Sequence, residues 1–329
     1  MKKSRFLILT ALVLLLIFAF VGCKGQGDDT SETAPSVVYY TVTFNSAGGS
    51  EVESAKVAKG GFASAPTEPT KEGFIFDYWS YDGDEWLFTS DKVTADITLT
   101  AVWVDAASVY NYQTVEGTQS CIITGYKRQF ETMRIPEKLN GLTVVGIGDG
   151  LFEDISTENT SKIIVDKSVV SVGNNAFKGC LGVEIEIKGA LTSIGEAAFY
   201  ECEKLKSVTF GETLEAIPPQ AFGGCISLTE IVIPKSVKVI DENAFEDCVA
   251  IKSVVLHDTV TSIKDGAFIG CDGLVTVYFY GTEQSFDAIE ISSGNTELQD
   301  AKLYLYSAEK PATDGNYWYL NDNGKIKIW

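Results

Sequence analysis

The chain has 329 residues, with 45 acidic against 26 basic side chains, one histidine and seven cysteines. Its formal net charge of −19 argues against nucleic acid or an anionic lipid surface as the ligand, because both need a basic footprint. If Lys2, Lys3 and Arg5 are lost with a leader, 23 basic residues face the same 45 acidic ones and the balance falls to −22.

The N-terminus reads as that leader. Lys2, Lys3 and Arg5 precede the apolar run Phe6–Val21, 16 residues long. This is shorter than the roughly 20 residues of a membrane-spanning helix and suits a secretory signal over residues 1–22. Phe20-Val21-Gly22-Cys23 resembles the lipobox of bacterial lipoproteins, with Phe20 where leucine is usual. The resemblance implies cleavage before Cys23 and lipidation of its sulfur. Several acyl chains would hold the protein stably, since each buried CH₂ contributes about 0.8 kcal/mol. Residues 23–37 are polar and read as a flexible tether spanning on the order of 20 Å.

Residues 38–104 carry strand patterns. Tyr40, Val42 and Phe44 alternate with Tyr39, Thr41 and Thr43, Gly48-Gly49 turns the chain, and Ile97, Leu99, Ala101 and Trp103 form a last strand. The segments Tyr40–Ser50, Pro69–Trp79 and Ile97–Trp103 resemble the internalin B-repeat, or Listeria–Bacteroides repeat. The resemblance implies a small β-grasp-like module without enzymatic activity. Phe74, Phe76, Trp79, Trp86 and Trp103 are read as its core, and Asp82-Gly83-Asp84-Glu85 as a hairpin turn, since it lacks the spaced ligands of a calcium loop.

A repeat follows. AFKGC, AFYEC, AFGGC, AFEDC and AFIGC place phenylalanines at 177, 199, 222, 245 and 268, spaced by 22, 23, 23 and 23 residues. Each is preceded by an apolar residue (Val172, Ile194, Ile217, Ile240, Ile263) and followed by an alternating run such as Leu228, Ile231, Ile233. An older copy stands upstream as Val144, Ile147, Phe152 and Ile155. A fixed period in this range marks a solenoid, here of about six recognisable turns. Cys225–Pro234 and Val237–Phe245 resemble the leucine-rich repeats of the BspA type. The resemblance covers roughly residues 115–306 and implies a curved solenoid with one parallel sheet and short helical turns, placed as a domain at 105–306 with an N-terminal cap at 105–143. Some members of that family are adhesins.

Groups that could carry chemistry have plainer readings. Cys180, Cys202, Cys225, Cys248 and Cys271 recur once per turn, so they stack as a column of small buried residues; parallel side chains do not converge as a disulfide requires. Without a C-x-x-C or a histidine partner, no metal site is expected. His257 has no partners for a triad. The C-terminal residues 307–329 form an aromatic hairpin turning at Asn323-Gly324. Its Tyr317, Trp318, Tyr319 and Trp329 resemble a single choline-binding repeat, although such cages form between adjacent copies, so an end cap is expected.

The expected ligand face is the outward column between inward core positions: Ile164, Glu186, Thr209, Val232, Val255 and Tyr278, in which Val232, Val255 and Tyr278 make an apolar stripe. The fold class is mainly β: a β-grasp-like small domain, a leucine-rich repeat solenoid with short helical turns and the hairpin cap. The expected function is that of a non-enzymatic, lipid-anchored, adhesin-like surface protein that binds a host or neighbouring-cell protein or glycan. No cofactor, metal, catalytic residue or nucleic-acid partner is expected. The alternative is a structural envelope protein attached to the wall through the hairpin.

Overall fold

The computed structural model describes residues 37–312 and 314–329; the leader, Cys23 and the tether up to residue 36 lie outside the described residues. From Tyr39 onward the strands follow the alternation of the sequence. Strands β1 (Tyr39–Asn45), β2 (Ala55–Ala58), β3 (Phe74–Tyr81), β4 (Asp84–Glu85) and β5 (Ile97–Asp105) form one sheet in the order β2-β1-β5-β3-β4. β1 and β5 run parallel, pairing Val42 with Ile97 and Phe44 with Leu99. Val42, Phe44, Trp79, Trp86, Val93 and Leu99 are buried together. Phe74 is the exception to the expected core. It opens β3 at 36% exposure, with the Lys71 amine 4.6 Å from its ring centre. Asp82 and Gly83, at φ 51° and 95°, make the two-residue turn from β3 to β4; positive φ at both central positions matches the twist of a tight hairpin.

The module leads directly into the solenoid. Asp105 accepts a hydrogen bond from the Ala107 amide and caps the single helical turn α1 (Ala106–Val109). Ile75 of β3 belongs to the solenoid's core, and Arg128 pairs with Asp77 at 2.7 Å.

The solenoid has about eight turns, two more than the five Ala-Phe copies and the older copy at Phe152 mark. The first, through Ser120–Tyr126 and Thr132–Ile135, and the last, through Glu290–Ile291 and Lys302–Tyr306, are built without it. Parallel strands run in two ladders rather than one. The first ladder joins the short strands before each Ala-Phe pair, from Ser120–Tyr126 to Ser193–Ile194 and again from Ala216–Ile217 to Glu290–Ile291. The second joins the strands after each cysteine: Thr132–Ile135, Lys162–Val165 and Glu184–Ile187, then Glu230–Val232, Ser253–His257, Thr276–Tyr280 and Lys302–Tyr306.

Both ladders are interrupted at the same coil. Thr209–Phe210 pairs with Ala190–Leu191 instead of with Glu184–Ile187. That exchange of partners follows from the spacing: Ile187 lies seven residues after Cys180, whereas Phe210 lies eight after Cys202. A one-residue slip changes which residues can pair across a ladder.

The Ala-Phe edge is continuous where the ladders are not. Its segments are runs of turns, with bonds such as Cys180 N to Phe177 O at 3.2 Å. Left-handed residues punctuate them, for example Asn175 at φ 53° and Gly179 at φ 73°. Successive coils are tied by Phe177 N to Ala198 O, Phe199 N to Ala221 O, Phe222 N to Ala244 O and Phe245 N to Ala267 O, all 2.8–2.9 Å. Phe152, Phe177, Phe199, Phe222, Phe245 and Phe268 stack in one file, with ring centres 5.1–5.5 Å apart. At the end of the file Asn295 stands in for a further coil: its side-chain oxygen accepts from Phe268 N at 3.0 Å, and Glu297 accepts from Gly270 N at 3.1 Å.

The six cysteines from Cys121 to Cys271 are free and buried. Their column is more than small-residue packing. The thiols of Cys202, Cys225, Cys248 and Cys271 donate to the carbonyls of Phe177, Phe199, Phe222 and Phe245 one coil earlier, at 3.0–3.2 Å. Cysteine therefore serves here as a buried hydrophobe that also satisfies a backbone acceptor.

Candidate ligand-binding face

The outer face of the second ladder changes character along its length. On the early strands Arg134, Ile164 and Glu186 are in register. Lys162 bridges Glu186 at 2.9 Å and Glu184 at 3.6 Å. The hydrogen bond between Lys162 and Glu186 holds the Glu186 carboxyl below its usual range and raises the Lys162 amine. Glu68 of the module lies 3.9 Å from Arg134, and burial pushes its carboxyl up. This half of the face is a charged surface partly covered by the module.

Three members of the expected column are corrected by these positions. Ile164 is buried, with the long side chains of Arg134 and Glu186 beside it in register. Thr209 is exposed, but it sits on the slipped strand opposite Ala190 and so leaves the row. Val255 is 5% exposed: it forms a small core with Tyr304 and Trp318, against which Tyr278, Tyr280 and Ile326 pack. Of the expected stripe, Val232 remains open at 57% exposure and Tyr278 is half-buried.

The late strands carry an aromatic cluster larger than that stripe. Beside the column Val255, Tyr278, Tyr304 runs a second one. His257 stacks on Tyr280 at 4.4 Å with the planes 6° apart, and Tyr280 lies 4.6 Å from Tyr306. Trp318 meets Tyr280 edge-on at 4.6 Å and Tyr306 at 5.1 Å. Its indole N–H donates to the Phe279 carbonyl at 3.4 Å. Sequence reasoning missed His257, Tyr280, Tyr304 and Tyr306 as face residues. The signal was present: Tyr278-x-Tyr280 and Tyr304-x-Tyr306 put both tyrosines of each strand on the outward side.

The hairpin extends the sheet rather than standing apart from it. Tyr317–Leu320 pairs parallel with Lys302–Tyr306, and Ile326–Ile328 pairs antiparallel beyond it. Strand alternation sends Trp318 to the outer face and Tyr317 and Tyr319 to the opposite one. There Tyr319 stacks on Trp329 at 4.0 Å, and the Trp329 indole donates to Ser307 O at 2.9 Å. The structure thus divides Tyr317, Trp318, Tyr319 and Trp329 between two faces, and they do not enclose a common space.

Chemically the face offers ring edges and hydroxyls, because the stacked rings cover one another's flat sides. Burial pushes the Tyr278 and Tyr280 phenols up, so both remain donors at neutral pH. The Lys302 amine sits 4.8 Å over the Tyr304 ring. Among the described residues, no grouping of His, Cys, Asp and Glu could hold a metal ion.

Comparison with known proteins agrees with the two-part organisation. Residues 145–275 match the BspA type leucine-rich repeat region in six copies, and residues 40–102 match the Listeria-Bacteroides repeat domain. A Gly-rich membrane protein of Evansella cellulosilytica is 34% identical over 103 residues, covering 30% of this chain and 12% of that protein. A second membrane protein of the same organism is 28% identical over 110 residues, covering 32% of this chain and 17% of its own length. The chain therefore spans under a fifth of either relative. Among solved structures, the T. pallidum leucine-rich repeat protein is 26% identical, covers 56% of this chain and 83% of its own, and has a TM-score of 0.47. A leucine-rich cell surface protein of Faecalibacterium prausnitzii is 22% identical over 67% of this chain and 59% of its own, with a TM-score of 0.43.

Proposed function

We propose that the chain is a non-enzymatic surface protein, held to the outer side of a bacterial membrane by a lipid on Cys23, that binds a partner protein through the outer face of the late strands. The match to BspA type repeats supports a binding role, and the membrane-protein names of the two relatives support a place at the cell surface. The aromatic cluster around Tyr280, Tyr306 and Trp318 carries the choice of face. Tyrosine and tryptophan dominate protein interface hot spots, and here they are preset by stacking, so binding costs little side-chain ordering. A protein is favoured over a glycan because a sugar ring stacks on an open aromatic face, and these rings turn their faces to each other. Tyr306 stays 37% exposed, with Val232 at 57% beside the cluster, as anchors near an interface require.

The test is an array of extracellular-matrix and bacterial surface proteins, with glycans printed alongside, probed with the full-length chain. Tyr280→Ala with Tyr306→Ala should abolish capture of the protein ligand while the thermal melt falls only modestly. Val232→Lys should weaken capture without affecting folding. Undiminished binding by the double variant, or capture of glycans alone, would move the function elsewhere.

A further inference from the structure

A second site lies at the junction of the module and the solenoid, far along the ladder from the aromatic cluster. A cleft of about 730 Å³ opens between the segment Thr70–Phe74 and the early strands, within the size range of ligand pockets. Five cations line it: Lys71, Arg134, Lys138, Lys167 and Lys188. That concentration runs against the rest of the chain, which carries 45 acidic to 26 basic residues.

Glu72, Glu137 and Asp166 line it as well, which leaves an excess of two positive charges, and these carboxylates do not neutralise the cleft. Lys138 meets Glu72 at 3.6 Å and Lys167 meets Glu137 at 4.0 Å, both loose and largely exposed pairs. Arg134 is 3.9 Å from a Glu68 whose carboxyl burial disfavours as an anion. Lys188 takes part in no ion pair among the described residues. Lys71 is held in place, donating to Ala47 O at 3.0 Å with its amine over the Phe74 ring. At physiological ionic strength charges beyond about 8 Å are largely screened, so the local cations, not the net charge, decide what the cleft attracts.

We propose that this cleft binds the sulfate or carboxylate groups of an acidic oligosaccharide. The lining excludes the obvious rival. An acidic peptide would need an apolar pocket for anchor residues, and the cleft offers only Phe74 and Pro136 among otherwise polar side chains. Spaced cations carried on aliphatic stems, with one aromatic edge, suit a hydroxylated, charged chain of sugars. The site rests on observations independent of the aromatic face, so either can fail without the other.

The experiment is calorimetric titration of the full-length protein in detergent with a heparin-derived octasaccharide, a galacturonate octasaccharide and two poly-glutamate peptides, each matched in charge to one of the oligosaccharides. The wild type should bind at least one oligosaccharide more tightly than its matched peptide, with affinity falling as salt rises. The sulfated and uronate arms show which anion the cations prefer. Lys167→Gln with Lys188→Gln should weaken binding about tenfold, since charge-assisted contacts are the strong ones. Lys204→Gln with Lys238→Gln, an equal charge change at exposed positions outside the cleft, should change it less than about twofold. Equal losses in both variants would reduce the effect to net charge and overturn the assignment. So would tighter binding of both peptides than of their matched oligosaccharides, or binding of neither oligosaccharide.

Discussion

Phe222→Ala removes the ring at the middle of the phenylalanine file. Phe222 is fully buried between Phe199 at 5.2 Å and Phe245 at 5.5 Å, with Phe210 edge-on at 5.7 Å. A buried Phe→Ala truncation costs about 3–5 kcal/mol, and three ring partners place this one at the upper end. Phe268 is equally buried but stacks on Phe245 alone. Aromatic pairs contribute about 0.5–1.5 kcal/mol each beyond area, so Phe268→Ala should cost about 1–3 kcal/mol less than Phe222→Ala. At about 2–4 °C per kcal/mol for a chain of this size, the central variant should melt about 10–20 °C lower. Stability in a solenoid is close to a sum over coils and their interfaces, so the loss should also localise. Hydrogen exchange should quicken first across residues 199–245, with the module unchanged. An unshifted melt, or equal shifts for the two variants, would refute the stacked file as the source of stability.

Further outcomes follow from the same structure. Burial raises the thiols of Cys202 and Cys271, and the hydrogen bond with Cys225, together with burial, raises that of Cys248, so iodoacetamide should label none of the six described cysteines in the native protein and all six after denaturation; mass spectrometry that found a native disulfide in the column would contradict this. Cys23→Ser should release the protein to the medium or leave unprocessed precursor, read by fractionation, and unchanged membrane partitioning would remove the lipid anchor. Val255→Glu, unlike Val232→Lys, should destabilise the fold, because the carboxylate would enter the Tyr304–Trp318 cluster; equal melts for the two would put Val255 back on the surface. Desolvation lowers the His257 pKa from its ordinary 6.5, so its neutral form is favoured by folding. That contribution is complete above pH 6.5 and is lost as pH falls through the depressed value. The drop in melting temperature from about pH 7.5 to about pH 5 should be larger for the wild type than for His257→Gln, and equal drops would dismiss the histidine.

The solenoid was legible because its core is periodic. The Ala-Phe pair, the cysteine and the apolar residues around them recur at fixed offsets and took the buried positions that periodicity assigned, except Ile187 and Val208, which are only partly buried beside the slipped strand. What the sequence hid were relations across coils with no repeating letter. Asn295 and Glu297 end the Ala-Phe edge with side chains where earlier coils used backbone, so nothing in the motif announces them. The thiol hydrogen bonds needed the carbonyl of the preceding coil, which no spacing reveals. The ligand face was half legible. Alternation placed Tyr278 on the outer side of its strand, but exposure was inferred as though each strand stood alone. The fate of Val255 depended on a tryptophan 63 positions later, folded back by a hairpin whose register only the structure shows.

The coil at which both ladders stop pairing bears on how a tethered molecule would carry load. If the anchor and the aromatic patch serve as proposed, force passing from one to the other would cross the joint between residues 210 and 216. There the Ala-Phe edge supplies three amide links, from Ala197, Phe199 and Glu201 to Pro219, Ala221 and Gly223, the Cys225 thiol adds a bond to the Phe199 carbonyl, and Phe222 packs on Phe199 and Phe210. Every neighbouring joint adds strand pairing to that seam. Under tension the spring would yield first at this joint, and the two stretches of paired coil on either side would part as intact blocks.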